Sequence, residues 1–250
     1  MTLERRERTP IRTRRELTRI RRDIRGWIGW DYIAKLVKLC EEPGLILVAF
    51  MTGGRATEIL ELTRGHFADM GAYYEVRGMP VFKKYDVLEV YTDDEGKRRW
   101  KTELVTEYRT FPILKTEPLA KMCWDFVDEK EGKLFEFTVP GSNELWDDQY
   151  WQMYKRIADI PPPPSSLAPF YHKGPEEGQQ KNIYPHWLRG MKAAQLRVEY
   201  ALTPGDLMEF FRWESMEMAL HYARLSSVDQ AEKMMRGRER IRAVMGAPQK

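Results

Sequence analysis

Between Arg14 and Trp30 the apolar side chains fall at Leu17, Ile20, Ile24, Trp27 and Ile28, a helical spacing with arginines on the other face. A second helix is expected over Tyr32–Cys40, ended by "EEPG" at 41–44. "LILVAFMTGG" (45–54) reads as a third helix or a buried segment, and "RATEILEL" (55–62) continues at helical period. The pattern then changes. From Tyr73 to Leu114 β-branched and aromatic residues alternate with polar ones, "VLEVYTDDEGKRRW" reads as a hairpin turning at "DDEG", and "YRTFPIL" as a returning strand. Helical patterning resumes over Leu119–Glu129 and Leu145–Ile157. "IPPPPSSLAP" (160–169) is a break and "HKGPEEGQQKN" (172–182) an exposed loop. From His186 to about Met245 the chain is again helical, with breaks expected near "TPG" (203–205) and at Ser226–Ser227. The outline is an α+β protein, mostly helical, with one small antiparallel sheet.

Composition narrows the class. At 250 residues the chain is long enough to bury a full core, and no apolar run approaches the ~20 residues of a membrane span. No apolar stretch with a small-residue cleavage site follows the arginine-rich start, so no secretory leader is read there. Cys40 and Cys123 are too few for a disulfide framework or a thiolate zinc site. These features together give the expectation of a cytoplasmic protein.

Charge adds a direction. The net +3 divides into +6 over residues 1–25, which hold ten arginines, +3 over residues 226–250, and therefore −6 between them. Basic ends on an acidic body suggest that the termini meet a polyanion. The chain is accordingly read as a basic extension (1–25), a body (26–225) and a basic C-terminal helix (226–250).

Three segments carry candidate chemistry. In "TGGRATEILELTRGHF" (52–67) a glycine pair delivers Arg55 at a helix start, with Glu58 one turn on. In "HWLRGMKAAQL" (186–196) the three-residue step puts His186 and Arg189 on one helix face. In "FFRWESMEMALHYARLS" (210–226) Trp213 precedes Tyr222 by nine residues.

Their order and spacing resemble the catalytic domain of the tyrosine recombinases, the phage and archaeal integrase family. That family has an arginine in a "TG-small-R-x-x-E-L" signature and a second in "H-x-L-R". A histidine or tryptophan stands about nine residues before its nucleophilic tyrosine. The resemblance covers roughly residues 30–240 and departs at Gly190, where the family often has a second histidine. A separate N-terminal DNA-gripping domain is not recognised. What the resemblance implies is a helical bundle with a small antiparallel sheet that cleaves and rejoins DNA through a 3′-phosphotyrosyl link, using neither metal, ATP nor cofactor. Arg55 and Arg189 would clamp the phosphate, and Tyr222 would attack it. His186 would accept its proton, and Trp213 would hydrogen-bond a phosphate oxygen or buttress the tyrosine.

The chemistry suits those residue types. Guanidinium is planar and always charged, so it meets growing phosphoryl charge with paired hydrogen bonds. A phenol of ordinary pKa ~10 needs such a site to act near neutral pH. An indole N–H only donates. The leaving 5′-oxygen needs an acid, which the family takes from a β-hairpin lysine. "WKTELVTEYRTFPI" (100–113) matches the family's "KT" before a strand ending "R-x-x-P" and selects Lys101, with Lys97 and Lys84 as rivals. The expected partner is double-stranded DNA, bound by a protein that is monomeric in solution and tetrameric on DNA. A type IB topoisomerase, or a DNA-binding module with a degenerate site, is the alternative.

Overall fold

The computed structural model describes residues 26–92, 95–160, 182–222 and 234–235. The first helix, α1 (Trp30–Leu39), buries Tyr32, Ile33, Leu36 and Val37. The helix expected from Arg14 does not extend to Trp30: residues 26–29 are irregular and Gly29 has φ 92°. A positive φ is open to glycine and stops a right-handed helix. Residues 14–25 of that expectation lie outside the described residues.

"EEPG" both ends one helix and begins another. Pro43 stands in the first turn of α2 (Pro43–Thr52), where its missing N–H costs nothing. This helix is apolar all round, and Gly44–Thr52 are all buried, so it forms the centre of the core. Helix α3 (Ala56–Leu60) is a single short turn beginning at Arg55.

A three-stranded antiparallel sheet follows in the order β1 (Phe67–Asp69), β2 (Tyr73–Thr92), β3 (Arg98–Leu114). Strands β2 and β3 form the expected hairpin. β1, only three residues long, gives no periodic signal and was not anticipated. The ladder pairs Tyr73 with Leu114, Phe82 with Thr106 and Glu89 with Lys101, with register shifts between Val76 and Met79, Phe82 and Tyr85, and Val87 and Glu89.

Helices α4 (Ala120–Asp128) and α5 (Gln149–Ala158) agree with expectation, except that α5 starts later. The Asp148 carboxylate accepts the Trp151 N–H and so sets its first turn. Helix α6 (Pro185–Glu199) packs lengthwise on α2 and is buried along almost its whole length from Trp187 to Leu196. Its Lys192 is a buried cation whose Nζ lies 3.2 Å from both Glu117 oxygens. Tyr200 Oη donates to the same carboxylate (3.0 Å), and burial holds Lys192 below its ordinary pKa. This pairing anchors α6 where an uncompensated charge would be costly.

Helix α7 (Pro204–Phe211) is capped by Thr203, whose hydroxyl accepts the Asp206 N–H. A break follows that the sequence pattern does not announce. Arg212 takes a left-handed φ of 53°, and the chain restarts as α8 (Met216–Tyr222). Ala193 and Leu196 of α6, Leu207 and Phe211 of α7, Trp213 of the break and Ala219 of α8 form a second buried cluster. Among the described residues no helix is long and apolar enough to cross a membrane.

Candidate active site

The site grows from the C-terminal end of α2. Thr52 Oγ1 donates to Val48 O (2.6 Å) and accepts from Gly54 N (3.2 Å), closing the helix. Gly53 is left-handed at φ 59°, and a Cβ there would lie 2.6 Å from the Phe211 ring. The glycine pair is therefore a close approach between α2 and α7, and it turns the chain so that Arg55 opens α3.

Glu58 sits one turn into α3 and is fully buried. Its Oε2 accepts the Arg55 backbone N–H (2.8 Å), and its Oε1 accepts the Arg55 guanidinium at 2.6 Å. The same Oε2 stands 3.4 Å from Nη1 of Arg189 in α6. Two arginines separated by most of the chain thus converge on one carboxylate. Arg55, also donating to Phe82 O (3.3 Å), keeps its side chain 34% exposed. Arg189 is 1% exposed. It donates to Gly53 O (2.6 Å) and Phe211 O (3.3 Å) and lies 4.7 Å from the Phe211 ring centroid. Trp213, delivered by the Arg212 break, is buried, stacks on Phe211 (4.5 Å, 15°), and has its ring centroid 5.6 Å from the Arg189 guanidinium.

Of the sequence-selected residues, Arg55, Arg189 and Trp213 are brought together around Glu58. His186 stands exposed in the first turn of α6, one turn before Arg189. Tyr222 is the last described residue of α8, a helix tied to α6 and α7 through Ala219. The side chains of Tyr222, Lys101 and Lys84 lie outside the described part of the structure. On the backbone, Lys101 pairs with Glu89, five residues beyond Thr106, the partner of Phe82. At ~3.3 Å per residue that is about 16 Å along the strand from the carbonyl that Arg55 touches. Lys84 is two residues from the same carbonyl. Lys97, before β3, pairs with Glu95 (2.8 Å).

A third arginine escaped the motifs. Arg109, on β3, is buried and donates to Thr52 O (2.8 Å) and Phe210 O (3.0 Å), beneath the loop ends that carry Arg55 and Trp213. Burial, then the charge of Arg189, pushes it down to about 9, so it stays cationic at neutral pH. A signal existed: in "YRTFPIL" the inward positions are Arg109, Phe111 and Ile113, so the arginine stands in the apolar phase of a strand. Three guanidiniums and one carboxylate make a net positive cluster, with Arg55 its part-exposed member.

Among the described residues no group of three or more His, Cys, Asp or Glu is placed to hold a metal ion. Cys40 and Cys123 are buried and unpaired, and burial pushes the Cys123 thiol up to about 12, which makes it inert.

No family model matches the chain, and no curated protein does. Solved structures do. XerA recombinase is similar at 16% identity and TM-score 0.49, over 85% of this chain and 65% of its own. The Tn1549 transposon integrase, in complex with circular intermediate DNA, is similar at 14% identity and TM-score 0.44, over 84% and 66%. The catalytic domain of bacteriophage HP1 integrase is similar at 19% identity and TM-score 0.41, over 81% and 89%. The chain thus spans just under two thirds of the first two proteins. The solved structures that this chain resembles are thus recombinases and integrases, and the likeness is one of fold.

Proposed function

We propose that this protein is a site-specific tyrosine recombinase that cleaves and rejoins duplex DNA without metal or ATP. The observation that carries the reading is the convergence of Arg55 and Arg189 on buried Glu58, beside Trp213. Such an arrangement holds positive charge rigidly where a phosphodiester gains negative charge, and its low-dielectric floor strengthens the effect. With its donors on Gly53, Phe211 and Glu58, Arg189 acts through its charge at the floor of the site. Arg55, partly exposed, is the guanidinium that meets the phosphate oxygens directly. This refines the symmetric clamp expected from the motifs.

Tyr222 Oη attacks the scissile phosphorus, its proton passing to His186, and the P–O5′ bond breaks as a hairpin lysine protonates the leaving oxygen. The product is a 3′-phosphotyrosyl link and a free 5′-hydroxyl. Attack by the 5′-hydroxyl of a partner duplex reverses the step and conserves the bond energy. Trp213, a buried indole stacked on Phe211, fixes the turn between Arg189 and α8. The lysine is where motif and backbone diverge. The "KT" motif selects Lys101, whereas the path of β2 past Arg55 favours Lys84. The protein acts as a monomer in solution that assembles as a tetramer on two duplexes.

The test is incubation with attachment-site DNA followed by a denaturing gel. The native chain should give a covalent protein–DNA adduct, and Tyr222→Phe should bind DNA and give none. Adducts persisting in Tyr222→Phe would remove the nucleophile assignment.

A further inference from the structure

One face of the molecule carries an acidic, aromatic strip, bordered by Lys133, Lys155 and Arg156. Residues 136–154 hold four carboxylates, Glu136, Glu144, Asp147 and Asp148, and no lysine, arginine or histidine. All four are exposed. Among them stand large aromatics that the core does not use. Tyr150 is 47% and Trp151 53% exposed, while α5 turns Met153 and Ile157 inward. The rings form a platform: Trp151 stacks on Tyr154 (5.7 Å, 10°), and Tyr150 on Tyr154 (6.4 Å, 25°).

Phosphates are repelled by such a surface. Flat π faces bordered by carboxylates match a guanidinium, which stacks on the ring and hydrogen-bonds the acid through its edge. The chain carries its own ligand of that chemistry. Residues 1–25 hold ten arginines and a net +6. Their attachment point is firm: Trp27 stacks on Phe50 (5.6 Å, 16°) and donates to Glu199 (3.0 Å). Twenty-five residues reach up to about 80 Å when extended, while a body of ~200 residues is about 40 Å across. An arm of that length can reach well beyond its own attachment point.

We propose that residues 1–25 dock in cis on the aromatic, acidic strip of α5 and its preceding loop, and that DNA competes for them. The strip borders a cavity of about 200 Å³ lined by Thr57, Leu60, Phe82, Leu145 and Gln149, so it lies beside the helix that Arg55 opens. An arm held there is kept off the duplex until phosphates outbid the carboxylates.

The test uses the full chain without DNA, so it is independent of the recombinase reading, which the adduct assay decides separately. Trypsin cleavage within residues 1–25 is followed by mass spectrometry at low salt. Docked arginines are shielded, so cleavage should be about 10-fold faster in Tyr150→Ala/Trp151→Ala and in Glu144→Lys/Asp147→Lys. About 0.5 M salt should erase the difference. Asp148 is left alone because it caps α5, and an unchanged urea midpoint shows that each variant is folded. Equal cleavage of native and variant chains at low salt would overturn the proposal. Protection that grows with protein concentration would also overturn it, by assigning the arm to a second copy.

Discussion

Glu58 is the residue on which the candidate site depends. It is fully buried and lies between Arg55 and Arg189, with Arg109 adding a third cation to the same cluster. Glu58→Gln keeps the shape and removes the charge, leaving buried guanidiniums without a counterion. Breaking a buried pair in this way costs about 3–5 kcal/mol. The urea unfolding midpoint should fall accordingly. A loss under about 1 kcal/mol would show that the carboxylate is not the counterion. The sequence pointed to Arg55 and Arg189 through the resemblance of their motifs to a known family, because an arginine three residues from Glu58 or from His186 is commonplace by itself. Arg109 was passed over because it was read as part of a motif rather than as a charged residue in the inward phase of a strand. Nor does spacing report burial: His186 and Arg189 lie one turn apart, yet one is exposed and the other enclosed.

Among the elements, α2, apolar all round, was open between a helix and a buried segment, whereas α4, α6 and the long hairpin follow from their patterns. The break at Arg212–Ser215 does not, since "RWES" has no glycine or proline and depends on a left-handed Arg212 held by the packing of Phe211 and Trp213. That break separates α7 from the helix that carries Tyr222. The hairpin poses the sharper question. Its strands run 20 and 17 residues, so its lysines are spread along its length rather than gathered at one point. Replacing the leaving 5′-oxygen by sulfur removes the need for an acid, because a thiolate departs unaided. Cleavage lost in the alanine variant of the true acid should be restored on a 5′-bridging phosphorothiolate substrate. Rescue of Lys101→Ala upholds the motif, whereas rescue of Lys84→Ala upholds the path of β2. Rescue of neither, nor of Lys97→Ala, removes the acid from this hairpin.

For the whole molecule, the charge distribution and the C-terminal apolar positions bear on the proposed assembly on DNA. The body is acidic while both ends are basic, so the two ends are the segments that a polyanion would meet. Beyond Ser227 the apolar Val228, Ala231, Met234 and Met235 recur at near-helical spacing. The last two are helical and strongly exposed, at 76% and 57%. Adjacent exposed methionines are adaptable contact residues, suited to a partner surface that forms only part of the time. If this segment joins neighbouring subunits, a chain ending at Ser227 should bind a single half-site with native affinity. It should sediment as a monomer like the native chain, yet fail to form the higher-order complex on paired sites and lose strand exchange. Native levels of recombination by the truncated chain would refute the coupling role. Weakened binding to one half-site would instead place the segment in the body or on the duplex, where its six basic side chains would contact phosphates, and its contribution would then fall steeply with salt.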